Sequence, residues 1–345
     1  MIMDKCLVTK LQGVVDDNNL LKLGEIRISV KTSAIGKSAI MTRYYSDGVR
    51  PFTLSSVDGL AHISKTSGNG YVNKIAYDED ATKSQSIYFG IGEYEISLVH
   101  KAGLGAFLAY DGSMLGLDAT QWAYMPTLRS LVLYKPFKAF NISELRYMPV
   151  LEILELSGQN IVGNLDGVVS VGGCKNFTLK DTAVVDDIEK IKNMERVEVL
   201  DIDSNNGITG DITNVAATLP LLKRLTTTRS SNLTGNLANL VNNTNLETLS
   251  VNISNIAGDI SYLGKLTKLT TLNIADANNL VGSIEEMVAA FRTNGRQTGT
   301  ISMSSASYVS PITYNGERLR DWVRNNLPGV NNVTLTWTST TITIS

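Results

Sequence analysis

The sequence of 345 residues predicts an α/β solenoid with short parallel strands on a concave face, preceded by an all-β N-terminal domain. Three observations support this prediction. A leucine ladder repeats about every 23 residues, a glycine signature recurs in phase with it, and the first hundred residues show neither. A unit of this length cannot bury an apolar face alone, so neighbouring units must stack into one core.

The leucine ladder runs from about Met125 to Met303. Its first unit, Met125–Leu133, recurs 23 residues later as Met148–Leu156, and further units begin at Val171, Met194 and Leu219. Later units contain Leu246, Leu249, Val251, Leu269, Leu272 and Ile274, and an eighth strand is predicted at Ile301 and Met303. We expect these side chains to form the core, with Thr227 standing where a leucine is expected.

A second signature follows about ten residues after the ladder. It reads Ile161-Val-Gly-Asn-Leu165, Ile208-Thr-Gly-Asp-Ile212, Leu233-Thr-Gly-Asn-Leu237, Ile256-Ala-Gly-Asp-Ile260 and Leu280-Val-Gly-Ser-Ile284. The glycine suits a tight turn that excludes a Cβ. An apolar residue three positions further on predicts one turn of α-helix or 3₁₀ helix closing each coil.

These two halves together resemble leucine-rich repeats, over roughly half of the chain. The resemblance implies parallel strands on the concave face and helical or irregular turns outside. One position departs from the family pattern, because the residue usually found there is an asparagine whose side chain bonds neighbouring backbones. Here it reads Pro136, Gln159, Thr182, Asn205, Ser230, Ser254 and Ala277, so the polar ladder is expected to be partial.

Three regions follow from these patterns. Residues 1–101 are predicted to be a β-rich sandwich or barrel that anchors or oligomerises, because Glu25–Val30, Tyr71–Tyr77 and Glu93–Val99 alternate like strands. Residues 102–304 form the solenoid, with Leu108 and Tyr110 continuing the ladder into a degenerate first coil. Residues 305–345 form a C-terminal cap with a helix near 317–325 and strands at 333–337 and 342–344.

Composition excludes several classes of partner. Lys and Arg total 31, Asp and Glu total 33, and the net charge is −2, so no broad basic field is available for nucleic acid. Only Cys6 and Cys174 occur, which does not indicate a disulfide framework. The chain shows no signal peptide and no apolar run of about 18 residues. We therefore expect no membrane insertion, and a protein made in the cytoplasm.

The sequence also favours a non-enzymatic protein without a cofactor or a metal. His62 and His100 are the only histidines, and neither has the spacing of a metal site. Asp186 with Asp187, and Asp201 with Asp203, are pairs of carboxylates. No pattern supplies the apolar pocket that would separate their pKa values, so we interpret them as solvated surface charges.

The predicted concave face carries the candidate binding residues. Its outward positions are mixed near the first coils and rich in Ser, Thr and Asn near the last ones. Short hydroxyls and amides can bind a peptide or a glycan, although Thr is also a common exposed strand residue. The candidate contacts are Tyr134, Glu155, Thr178, Asp201, Asp203, Thr226, Ser250 and Asn273.

The opening residues 5–15 and 23–28, together with this domain arrangement, resemble leucine-rich proteins of tailed phages of gut Bacteroides, including the crAss-like group. The resemblance implies a virion component of the head-fibre, tail or collar kind, used in assembly or host attachment. Its partners would be other virion proteins or a host surface ligand, with homo-oligomerisation through the N-terminal domain. The alternative is a bacterial leucine-rich repeat protein for protein binding or adhesion, with no role in a virion.

Overall fold

The computed structural model describes residues 128–345, except for 137–138, 193, 253–254, 275–276, 305–310 and 331, and the backbone of eight strands before residue 128. The chain divides into two compact units, unit 1 (residues 1–174) and unit 2 (residues 175–345). Residues 5–15, on which the resemblance to phage proteins depends, lie outside the described residues. The predicted boundary between residues 101 and 102 stays a prediction.

The described residues of unit 1 contain twelve strands. They are β1 (Gly24–Thr32), β2 (Ser38–Arg43), β3 (His62–Ser67), β4 (Val72–Lys74), β5 (Gln85–Phe89), β6 (Gly92–His100), β7 (Ala106–Tyr110), β8 (Met114–Leu117), β9 (Ser130–Tyr134), β10 (Phe140–Asn141), β11 (Ile153–Ser157) and β12 (Ile161–Gly163). Antiparallel pairing gives one sheet with the strand order β3-β6-β1-β8. Strands β1, β4 and β6 overlap the three alternating segments, whereas the sandwich or barrel stays a prediction.

The repeat begins within unit 1. Strands β9 and β11 are parallel, with Leu131 opposite Leu154 and Leu133 opposite Leu156, as the 23-residue step predicts. Strand β7 also pairs in parallel with β9, but Phe107 lies opposite Leu131. The prediction that Leu108 continues the ladder is therefore wrong by one residue, because the step at this coil is 24. The 3₁₀ helix Ile142–Tyr147 and the helix Asp166–Val169 follow their strands.

The part of unit 2 that the structure describes contains sixteen strands. They are β13 (Asn176–Lys180), β14 (Ala183–Val184), β15 (Asp186–Asp187), β16 (Val199–Asp203), β17 (Ile208–Asp211), β18 (Arg224–Thr226), β19 (Leu233–Asn236), β20 (Thr248–Ser250), β21 (Asn255–Asp259), β22 (Thr271–Asn273), β23 (Leu280–Val281), β24 (Gly299–Ser304), β25 (Thr313–Tyr314), β26 (Glu317–Arg318), β27 (Asn332–Trp337) and β28 (Ile342–Ile344). Strands β13, β16, β18, β20, β22 and β24 are parallel neighbours in that order. A second parallel sheet contains β15, β17, β19, β21 and β23.

The leucine ladder forms the core of unit 2. Phe177, Leu200, Leu225, Leu249 and Leu272 lie opposite one another on successive strands, and all five are fully buried. The steps of 25 and 24 residues are absorbed in the loops, since the strand register is kept. Met303 lies opposite Leu272, which confirms the predicted eighth strand. Unit 2 is therefore a solenoid of stacked parallel strands, as the sequence predicts.

A short helical segment closes each coil of unit 2, as the apolar spacing predicts. The segments are 3₁₀ helices at Ile188–Ile191, Leu237–Asn242 and Ile260–Lys265, and α-helices at Ile212–Ala217 and Ile284–Thr293. Each begins directly after a capping side chain that accepts a backbone hydrogen bond, which satisfies donors at the helix start. The caps are Asp187, Asp211, Asn236, Asp259 and Ser283.

The signature glycines leave room for the caps of the preceding coil. Gly210 has φ +101°, and a Cβ added there would lie 2.4 Å from Oδ1 of Asp187. Gly282 repeats the arrangement, since its Cβ would lie 2.5 Å from Oδ1 of Asp259. The glycine is therefore required both by the backbone conformation and by the close approach of the neighbouring coil.

The polar ladder is partial, as predicted. The Asn205 side chain accepts hydrogen bonds from the Thr182 backbone N–H (2.9 Å) and hydroxyl (2.6 Å), and donates to the Leu179 carbonyl (2.6 Å). The Ser230 hydroxyl in turn accepts from the Asn205 backbone N–H (3.1 Å). The ladder does not continue to Ala277, which has no polar side chain, and Ser254 lies outside the described residues.

The C-terminal residues close the apolar end of unit 2. Strands β27 and β28 form an antiparallel hairpin that pairs with β24, and the helix Leu319–Asn326 lies where the sequence predicts one. The Trp337 ring stacks on Phe291 with centroids 5.2 Å apart, and the Arg296 guanidinium lies 4.7 Å from the Trp337 ring. These contacts join the hairpin to the last coil.

Candidate ligand-binding face

The outer strand face is defined here as the side chains of β13, β16, β18, β20, β22, β24, β27 and β28 that point away from the core of unit 2. It is the side that the sequence predicts to be concave. Strand register sets its side chains in rows, because residues opposite one another on parallel strands point the same way. One row contains Thr178, Asp201, Thr226, Ser250 and Asn273, five of the predicted contacts.

The charged end of this face lies on β13, β16 and β18. The Lys180 Nζ lies 2.9 Å from Oδ2 of Asp201, and an Arg229 guanidinium nitrogen lies 3.4 Å from Oδ2 of Asp203. Asp203 also accepts a hydrogen bond of 2.8 Å from the Ser204 hydroxyl. Asp203 is another predicted contact, and it lies opposite Lys180 in the adjacent row.

Asp201 is the most buried charged side chain of this face. Its residue is 7% exposed, and its Oδ1 has no hydrogen-bond partner. Burial raises the pKa of the Asp201 carboxyl above its ordinary value, while the Lys180 ammonium acts in the opposite direction. The carboxylate therefore occupies a poorly hydrated position with half of its accepting capacity unused.

The remainder of the outer strand face is uncharged. On β20, β22, β24, β27 and β28, the outward positions that the structure describes carry only hydroxyl and amide side chains. They are Thr248, Ser250, Thr271, Asn273, Thr300, Ser302, Asn332, Thr334, Thr336 and Thr343. The hairpin of β27 and β28 therefore extends the face as well as closing the core. Sequence analysis missed this extension, although the alternation of Val333–Trp337 predicts which side chains face outward.

The other two predicted contacts, Tyr134 and Glu155, belong to unit 1. They lie at outward positions of β9 and β11, half-buried, and the row in unit 2 does not include them. Two further outward positions of β9 are buried, since Ser130 is 3% and Val132 is 5% exposed. They therefore present little surface to a ligand.

The interpretation of the paired carboxylates as solvated surface charges is wrong for Asp201, which is only 7% exposed, and the other pair has structural roles. Asp186 lies 3.0 Å from the Lys190 Nζ, and Asp187 caps the 3₁₀ helix by accepting from the Glu189 N–H at 2.9 Å. Within the described part of the chain, no group of three or more His, Cys, Asp or Glu side chains is placed to hold a metal ion. No helix in that part is both long and apolar enough to cross a membrane.

Three solved structures are similar to this chain over about half of its length. The plant peptide hormone receptor RGFR1 in complex with RGF2 is 21% identical with a TM-score of 0.41, and the match covers 55% of this chain and 29% of the receptor. The structure of PEPR1 with AtPEP1 is 18% identical with a TM-score of 0.43, covering 60% and 28%. The ectodomain of the Arabidopsis thaliana receptor kinase GASSHO1/SCHENGEN3, in complex with CASPARIAN STRIP INTEGRITY FACTOR 2, is 20% identical with a TM-score of 0.36, covering 49% and 24%.

This chain thus spans less than a third of the length of each of these three proteins. No protein-family model and no curated protein matches the sequence. The strand registers and the buried ladder of unit 2 themselves show a solenoid of parallel strands.

Proposed function

We propose that this protein is a non-enzymatic binding protein, and that the outer strand face of unit 2 binds an extended polypeptide. The observation that carries the proposal is the set of uncharged hydroxyl and amide side chains aligned in rows over β20, β22, β24 and the terminal hairpin. Such side chains donate and accept hydrogen bonds in any order, as the alternating N–H and C=O groups of a polypeptide require.

Burial and bonding support this use of the face. The Thr228 and Ser250 hydroxyls lie 3.3 Å apart, a cross-strand contact that leaves each hydroxyl able to bond a further group. Thr271 and Ser302 are exposed at neighbouring positions of the next row. Water bound to such groups can be replaced by a ligand that reproduces the hydrogen bonds.

A peptide-display library tests the proposal. Twelve-residue random peptides are selected on the purified full chain, and synthetic copies of the enriched peptides are measured by calorimetry. We expect Thr271→Trp to abolish binding, because an indole would cover the row at its centre. Thr234→Trp is the matched control, since Thr234 is exposed on β19 in the second sheet. Equal binding by both variants would exclude the outer strand face as the ligand surface.

We also propose that the protein is a virion component, because residues 5–15 and 23–28 resemble phage proteins. It contacts other virion proteins or a host surface ligand and oligomerises through residues 1–101. Peptide mass spectrometry of purified particles tests this proposal. A stoichiometric copy number supports it, whereas absence from the particles favours the alternative of a bacterial protein for protein binding or adhesion.

A further inference from the structure

The charged end of the outer strand face contains a carboxylate oxygen with an unmet hydrogen bond. Asp201 lies on β16 between Leu200 and Ile202, both fully buried, so its side chain must point to the outer face. Oδ2 lies 2.9 Å from the Lys180 Nζ, whereas Oδ1 is buried and has no partner. A buried oxygen of this kind is unfavourable unless another group donates to it.

A guanidinium without a carboxylate partner lies on the next strand. Arg224 on β18 is exposed, lies opposite Val199, and is two residues from Thr226, which lies opposite Asp201. Its charge acts on the Asp201 carboxylate. Among the described basic residues on or beside this face, Lys180, Lys223 and Arg229 each form an ion pair with a carboxylate, whereas Arg224 forms none. The face therefore presents an unused acceptor beside an unused donor.

We propose that Asp201 and Arg224 together bind an amide group of the extended polypeptide, with its N–H donating to Oδ1 of Asp201 and its carbonyl accepting from Arg224. This inference rests on the proposed function and specifies where the ligand is anchored. The polypeptide then continues over Thr226 and Ser250 with uncharged side chains.

Charge complementarity favours an amide over a charged ligand group at this position. A cation approaching Asp201 would meet Lys180 and Arg224, and an anion approaching Arg224 would meet Asp201 and Asp203. A neutral amide satisfies both unmet groups without adding a charge. A glycan also offers donors and acceptors, but the described outward positions of unit 2 contain no aromatic ring on which a sugar could stack.

Access to Oδ1 requires a local rearrangement, because the atom is closed to solvent. The Lys180 ammonium lies 2.9 Å from the other oxygen of the same carboxylate, Oδ2. The lysine is long and its side chain is 44% exposed, so the Asp201 carboxylate can turn to meet a ligand N–H while the ammonium follows it.

The peptides enriched on the full chain test this inference with two substitutions. We expect Asp201→Asn and Arg224→Gln each to weaken their binding at least tenfold, which corresponds to about 1.4 kcal/mol. Lys223→Gln is the control, because Lys223 is exposed, precedes β18 and pairs with Glu198 outside the face; it should leave affinity unchanged. Arg224 is exposed, so its replacement leaves the fold intact, and thermal melts verify this for both variants.

Three outcomes would overturn the inference. Unchanged affinity in both variants, alongside loss in Thr271→Trp, refutes the amide site and leaves the proposed function standing. Enriched peptides that carry an acidic residue and depend on Arg224 alone show a carboxylate site instead. A selection that yields no peptide, together with binding of this face to a glycan array, rejects the polypeptide ligand itself.

Discussion

Replacing Thr227 by valine should stabilise unit 2. Thr227 occupies the ladder position that is filled by Leu179, Ile202, Val251 and Ile274 in the other coils. It is fully buried, and its hydroxyl has no hydrogen-bond partner. A buried hydroxyl without a partner costs about 1–3 kcal/mol, and valine keeps the β-branched shape while adding a methyl group. We therefore expect the free energy of unfolding to rise by about 1–3 kcal/mol.

Thermal unfolding followed by circular dichroism measures this change. For a unit of this size, each kcal/mol shifts Tm by about 2–4 °C, so we expect an increase of roughly 2–12 °C. Thr182→Val is the matched control, because the Thr182 hydroxyl is also buried but lies 2.6 Å from its acceptor, Oδ1 of Asn205. That variant should lose about 1 kcal/mol. A Thr227→Val protein that melts at or below the wild-type temperature would refute the reasoning.

Three further predictions concern the core, the turns and the outer face. Leu249→Ala should destabilise unit 2 by about 2–5 kcal/mol in urea unfolding, because Leu249 is fully buried; a loss below 1 kcal/mol would contradict the register. Gly210→Ala should cost more than Gly295→Ala in thermal melts. Both have positive φ, but only at Gly210 would the new Cβ collide with Asp187, whereas nothing lies within 4 Å at Gly295, so equal losses would remove the steric explanation. Burial raises the pKa of Asp201 in the folded state, so the wild type loses stability as the pH rises from the unfolded pKa of about 3.9 through the folded value. Asp201→Asn should therefore gain stability relative to wild type over that rise; a difference that is independent of pH would contradict the assignment.

The ladder was predictable because local spacing alone determines it. On the parallel strands of unit 2, each leucine, isoleucine or phenylalanine at a ladder position is buried. The loops absorb the repeats that are 24 or 25 residues long instead of 23. Phe107 shows the limit of this reasoning. It precedes Leu108, both residues are apolar, and only the pairing of β7 with β9 decides which one lies opposite Leu131.

The caps were missed although their signal was present. Asp211, Asn236 and Asp259 each follow the signature glycine and precede a short helix, which is the preferred position of such side chains. What no local pattern could show is that a Cβ at the glycine would meet the cap of the previous coil, because that contact joins residues more than 20 positions apart.

One row of the outer strand face was predictable from the sequence, but the residues of the terminal hairpin and the contacts of the charged end were not. Thr178, Asp201, Thr226, Ser250 and Asn273 share a row because the repeat period brings equivalent residues together. The pairing of β27 with β24 adds Thr334 and Thr336, and it depends on a chain reversal that the sequence leaves open. Likewise, the unused Oδ1 of Asp201 depends on the position of Lys180 on another strand, which spacing cannot specify.

The terminal hairpin has a consequence for solubility. A stack of parallel strands ends in a strand with unpaired backbone N–H and C=O groups. Another chain can pair with these groups, and repeated pairing of this kind leads to aggregation. Here the edge strand, β28, has only three residues. The Tyr314 hydroxyl donates a hydrogen bond of 3.2 Å to the Ile342 carbonyl, which would otherwise be free to accept a hydrogen bond from the strand of another chain. Truncation before β27 would uncover the whole edge of β24, and the shortened protein should aggregate through edge-to-edge association.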